Sequence, residues 1–152
     1  MARDLRFLKD GYPRTRIRSL WTIARHDVSE ESGVYILLSE DGTVFPYPGG
    51  LSPVFYIGRS KNLRNRLLTH HRYAKDARDV RHYDKYPQVC EYAAAFGCRY
   101  SFIECLSWDT PDELEFDIMA RFGEAFRTLP VACGSGSWEP VEQRDAPKEV
   151  PG

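Results

Sequence analysis

Two sets of residues in this chain have types and spacings suited to chemistry. The first centres on Glu115. On a helix starting near Pro111, at about 100° per residue, Leu114, Ile118, Phe122, Ala125 and Phe126 share one face, with Met119 at its edge. Glu113, Asp117 and Glu124 fall away from that face, and Arg121 sits at its boundary. Glu115 falls inside the apolar arc, between the directions of Phe122 and Phe126. A carboxylate aimed at a core is costly unless something compensates it. A metal ion, an arginine partner or local solvent would each do so.

The second set is Arg66 and His70, four residues apart and therefore stacked on one helix face beside a stripe of Leu63 and Leu67. Arg59 comes just before that helix, where first-turn N–H groups offer a further place for a phosphate. An arginine, a histidine and a helix N-terminus close to a tyrosine-bearing strand could neutralise a phosphodiester and assist its cleavage.

These residues need elements to position them. Val34 to Leu38 reads as a buried strand ending at the turn dipeptide Asp41-Gly42, and Val54 to Ile57 as a second strand. Between them, Pro46-Tyr47-Pro48-Gly49-Gly50 makes a loop or irregular hairpin tip. A helix capped by Ser60 or Asn62 carries Leu63, Leu67 and Leu68 on its apolar side, and basic loop follows. Pro87 to Phe96 reads as a helix stopped by Gly97, and Arg99 to Leu106 as a third strand. Thr110-Pro111-Asp112-Glu113 starts the helix that bears Glu115, running to about Phe126. Upstream, residues 14–25 have Ile17, Leu20, Trp21 and Ala24 at helical spacing and are expected to form a short basic helix. The stretch after Trp138, rich in Pro, Glu and Asp, is expected to be disordered. Strand, strand, helix, helix, strand, helix predicts a small α/β or α+β sheet with helices beside it.

With 152 residues the chain suits one domain with a real core. No apolar run approaches the roughly 20 residues of a membrane span, and the first residues lack a signal-like stretch. Cytoplasmic residence is the default expectation. Cys90, Cys98, Cys105 and Cys133 form no C-x-x-C pair, which argues against structural zinc and favours reduced, mostly buried thiols. The formal net charge is -1, but its distribution is uneven. From Arg59 to Lys85 nine Lys/Arg face three acids, a local +6 that leaves -7 for the remainder. The first 25 residues add seven basic residues against Asp4 and Asp10. Such asymmetry is the footprint of a phosphate-binding face.

In combination the motifs resemble those of the GIY-YIG nuclease family. Gly33-Val34-Tyr35 is a conservative variant of the opening tripeptide, and Tyr56-Ile57-Gly58 is the second intact. The run from Arg59 through Arg66 to His70 is similar to the family's helix start, YIG-x-S-x-N-L-x-x-R-L-x-x-H. Leu114-Glu115-Phe116-Asp117-Ile118-Met119 resembles its later metal helix and selects the same glutamate as the helical wheel. The resemblance covers roughly residues 32–133. Two features depart from it. Twenty residues lie between Tyr35 and Tyr56, more than the family usually has, and Cys133 stands near the position of a site-organising asparagine.

The resemblance implies a three-stranded antiparallel sheet flanked by helices over residues 32–138, with 1–31 a basic extension and 139–152 a tail. It also implies an endonuclease that hydrolyses phosphodiesters with one divalent ion, Mg²⁺ or Mn²⁺, bound through Glu115. Arg66 would stabilise charge on the phosphoryl oxygens. One of Tyr35 and Tyr56 would act as general base, helped by a cation near the phenolate, and His70 would relay a proton or hold a tyrosine. Arg59, Lys61, Asn62 and Arg64 would contact substrate. The expected partner is nucleic acid, double-stranded DNA first, with restriction, mobile-element and repair roles all open. A binding module without turnover and an RNA-cleaving enzyme are the alternatives.

Overall fold

Gly33–Leu38 is buried at every position, which a strand achieves with partners on both edges and helices over both faces. The computed structural model describes residues 2–9, 11–40, 42–83, 85–106 and 110–133. In chain order its elements are β1 (Arg18–Ser19), β2 (Gly33–Leu38), β3 (Phe45–Tyr47), β4 (Gly50–Ser52), β5 (Val54–Ser60), α1 (Leu63–Val80), α2 (Pro87–Phe96), β6 (Arg99–Glu104) and α3 (Pro111–Phe126). The main sheet runs β1-β6-β2-β5 and every pair in it is antiparallel; β3 and β4 form a separate hairpin. The class is α+β. The expected three strands are its core, and β1 is a short fourth. Among the described residues no helix is long and apolar enough to cross a membrane.

Alternation along β2 divides the core. Val34, Ile36 and Leu38 face α3, where Leu114, Ile118 and Phe122 are buried with Leu5, Phe7 and Leu8. Tyr35 and Leu37 face α1 and α2, packing with Leu63, Leu67, Ala74, Val89 and Ala93. Full burial of a Leu, Ile or Phe side chain is worth roughly 1.5–3 kcal/mol, so both faces contribute to stability. Local signals set the helix ends. Asn62 accepts from the Asn65 amide and Thr110 from the Glu113 amide, each closing a first turn. Gly97, at φ 80°, ends α2.

Three expectations are corrected. Residues 14–25 hold no α-helix; this stretch carries β1, and the 3₁₀ turn Arg25–Asp27 begins at its last residue. The Thr15 amide donates to the Phe102 carbonyl, Phe102 N–H donates to Thr15 Oγ1, and Leu20 N–H donates to Cys98 O. Pairing with the open edge of β6 overrides the helical period of this segment. Residues 1–31 are likewise no appendage, since Leu5, Leu8, Leu20 and Val28 are core residues. Finally, α1 continues to Val80 where basic loop was expected, because Leu63, Leu67, His70, Ala74 and Ala77 make one buried stripe. Trp138 and the segment 139–152 lie outside the described residues.

Candidate active site

Antiparallel register puts Tyr35 of β2 directly opposite Gly58 of β5, with Tyr56 two residues back on the same strand. The two phenol rings lie 5.9 Å apart. Tyr35 is fully buried and Tyr56 partly exposed. His70, only 1% exposed, reaches them from the buried stripe of α1. Its Nε2 is 2.8 Å from the Tyr35 hydroxyl, while Nδ1 is buried with no hydrogen-bond partner among the described residues. An orphaned lone pair is tolerated better than an orphaned N–H, so the proton is assigned to Nε2, which donates to the Tyr35 oxygen. Burial, helped by the Arg66 charge, pulls the His70 pKa down to about 3 and keeps the imidazole neutral.

Arg66 and Tyr56 also lie near the Tyr35 hydroxyl. With His70 Nε2–H as donor, the Tyr35 oxygen is the acceptor of that bond. Burial raises Tyr35 well above the ordinary tyrosine value, with Tyr56 adding to the effect and Arg66 opposing it. Burial and then the neighbouring Cys133 raise Tyr56, against which the Tyr35 hydrogen bond and Arg66 act. Both tyrosines are therefore phenols at neutral pH, and Arg66 is the cation positioned to favour a phenolate.

A cleft of ≈ 940 Å³ opens beside Arg66, lined among the described residues by Arg59, Lys61, Arg66 and Lys85 with one acid, Asp112. Asn62, Asn65, Thr69 and Tyr86 complete much of its wall. Among the described residues, four cations against one carboxylate suit this surface to an anion. Tyr86 is the residue before Pro87, and its backbone is left-handed at φ 52°, ψ 52°. That conformation costs a non-glycine residue roughly 1–2 kcal/mol. The turn aims its ring onto His70, at 4.6 Å between centroids, and beneath Arg66, whose Cζ is 5.9 Å from the ring centre.

At the sheet edge Arg59 points to the α3 side. Its Nε donates to Asp112 at 2.7 Å and its Nη1 to Glu115 at 2.7 Å. Glu115 is 20% exposed, so of the three compensations open to it the structure displays the arginine. With Arg59 half-exposed and Asp112 mostly so, the clamp contributes about 0–1 kcal/mol and is easily rearranged. Among the described residues no cluster of three or more His, Cys, Asp or Glu side chains is suited to a metal. Cys133 donates its thiol to the Ile57 carbonyl at 3.8 Å, and burial pushes its pKa up to about 12, so it is a protonated thiol.

Tyr35, Tyr56, Arg66 and His70 thus converge, with Arg59 and Glu115 adjoining them at the edge of β5. Lys61 and Asn62 line the cleft, Asn62 also serving as the cap of α1. Arg64 is a correction. It points away, to Glu30 at 2.7 Å and to the Val28 carbonyl at 2.9 Å, and ties the N-terminal segment to α1. The expected phosphate seat on the first amides of α1 is also absent. Leu63 N–H donates to Glu31 O, Arg64 to Ser29 O, Asn65 to Asn62 Oδ1 and Arg66 to Asn62 O.

Among the cleft residues that sequence reasoning missed are Asp112, Lys85 and Tyr86. Asp112 was legible as the position one turn before Glu115. Lys85 was counted in the basic stretch without a site, and Tyr86 had no local signal because its contacts are tertiary. The long insertion does not reach the cleft. Its Gly49 N–H donates to Phe126 O, and the Tyr47 ring packs on Phe122 at 5.2 Å, so the hairpin covers the end of α3. No protein-family model, curated relative or solved structure matches the chain.

Proposed function

We propose that the chain is a divalent-metal-dependent endonuclease of the GIY-YIG type, hydrolysing phosphodiester bonds in DNA. The observation that carries this reading is the convergence of Tyr35, Tyr56, Arg66 and His70, from two strands and a helix, with Arg66 reaching into a cationic cleft. Phosphodiester hydrolysis needs an activated water, charge stabilisation at phosphorus and a means of holding the strand.

The donor set fits one hard cation. Glu115 is an oxygen ligand already paired with the cationic Arg59, and Mg²⁺ is often held by one or two carboxylates, with water and phosphate completing its shell. Glu115 would hold the ion, which supplies Lewis-acid polarisation of the phosphoryl group when bound. Arg59, released from Glu115, and Lys61 would seat the phosphate, and Arg66 would stabilise charge growing on its oxygens. Tyr56, the more exposed phenol, would take the water proton in its phenolate form, stabilised by the Tyr35 O–H and Arg66. Tyr35 is held for that task by His70 Nε2–H. The water oxygen forms the new bond to phosphorus, one P–O ester bond breaks, and the departing oxygen takes a proton from solvent.

A second reading is a nucleic-acid-binding module without turnover, favoured by the Arg59–Glu115 pair, which already satisfies the carboxylate. Incubation of supercoiled plasmid with Mg²⁺ or Mn²⁺, with and without a chelator, separates the two. The nuclease gives metal-dependent nicks; salt-sensitive binding with intact plasmid supports the module. A parallel RNA substrate tests the choice of DNA.

A further inference from the structure

We propose that Tyr86 is a positioning residue of the cleft, its ring closing over His70 and carrying Arg66 so that imidazole and guanidinium meet at the Tyr35 hydroxyl. As a role in catalysis this rests on the phosphodiesterase reading; as a statement about His70 it stands independently.

Four side chains from four parts of the fold surround His70. Tyr35 comes from β2, Tyr56 from β5, Arg66 from one turn earlier in α1, and Tyr86 from the residue that caps α2. Of these only Tyr86 and Arg66 also line the cleft. The Tyr86 ring is closest to the imidazole, at 4.6 Å against 5.2 Å for Tyr35 and 6.1 Å for Tyr56. Its other neighbours fix it in turn. Tyr73 meets it edge-on at 6.5 Å, and Lys85 sits 5.9 Å from the Tyr73 ring. A left-handed residue before proline would ordinarily be glycine or asparagine. A tyrosine held there is explained by what the ring covers.

Two consequences follow from the geometry. Without the ring, His70 opens to the cleft, loses its desolvation and titrates nearer the ordinary histidine range. Arg66 also loses the aromatic surface that keeps its guanidinium toward Tyr35.

Tyr86→Gly is the informative variant, because glycine accepts the left-handed backbone and removes the ring without strain. Tyr86→Phe keeps the ring and is the conservative control. His70 titration by NMR is expected to move upward from about 3 by at least ~1 pH unit in Tyr86→Gly and to stay in place in Tyr86→Phe. Plasmid nicking with Mg²⁺ is expected to lose ten-fold or more in kcat, about 1.4 kcal/mol, with KM little changed, and to recover in Tyr86→Phe. An unchanged His70 titration in a folded Tyr86→Gly protein overturns the proposal. If the wild-type protein does not nick DNA, the nuclease reading fails while the titration still decides the role of Tyr86. If Tyr86→Gly unfolds, Tyr86→Leu, which keeps apolar cover but no aromatic face, replaces it: retained kcat there overturns the Arg66 part.

Discussion

Gly58 lies directly across the β2–β5 pair from Tyr35, and a Cβ on it would stand 2.6 Å from the Tyr35 hydroxyl oxygen and 2.7 Å from Tyr56 Cε2. The glycine of the second tripeptide is thus the space in which the two phenols meet. Gly33 in the first tripeptide answers a different need, since a side chain there would collide with the Ile103 carbonyl of the neighbouring strand.

Gly58→Ala is therefore expected to displace both rings from the Arg66–His70 corner. Overpacking of this kind costs about 1–3 kcal/mol. Chemical denaturation should show that loss, and plasmid nicking should fall by more than the stability change explains. A variant with wild-type turnover would show that the tyrosine pair is a packing feature.

On the proposed mechanism, Arg64 and Arg66 separate structure from chemistry on one helix. Arg64→Ala loses a partly exposed pair with Glu30 and a bond to a carbonyl, about 1 kcal/mol of stability, with cleavage retained. Arg66→Ala should fold and lose about 10²–10³-fold in kcat, the scale of one lost transition-state donor. Steady-state nicking and thermal melts on both proteins check this assignment.

How much of this could be read in the sequence depends on how local each cause is. The helix Pro111–Phe126 was legible because Thr110, Pro111 and the Leu114, Ile118, Phe122 stripe all act within a few residues. So was Pro87–Phe96, bounded by its proline and Gly97. The N-terminal segment misled because its Leu20 is buried where the chain pairs beside β6, some eighty residues away, a contact no period reveals. His70 was found as a partner of Arg66, yet its place in the buried stripe with Ala74 and Ala77 passed unnoticed because alanine is a weak hydrophobic signal. Glu115 showed its unusual direction but not its partner, since Arg59 arrives from the sheet.

His70 should make stability depend on pH. Its folded pKa, about 3, is below the unfolded value of 6.5, so between these the unfolded chain binds the extra proton. Its share of stability is fully present above pH 6.5 and is lost as pH falls toward 3, at up to about 1.4 kcal/mol per pH unit. Urea midpoints at pH 7 and pH 5 should differ more for the wild type than for His70→Gln. Equal differences would mean that His70 is not held neutral.

Tyr56 predicts the opposite limb. A base whose pKa is raised by burial is active only in the fraction that has lost its proton. Cleavage should climb through pH 7 to 10 without a plateau, and Tyr56→Phe should flatten the climb. A flat wild-type profile over that range would remove Tyr56 from the role of base.

The central proposal is that this chain hydrolyses phosphodiesters through a cation held by Glu115, beside the cleft. The most direct measurement is nicking of supercoiled plasmid in Mg²⁺ by the wild type and by Glu115→Ala, with melting curves on both. Metal-dependent nicking by the wild type and none by a folded Glu115→Ala protein is the predicted result. Full activity of that variant, or nicking by the wild type that survives chelation, would contradict it.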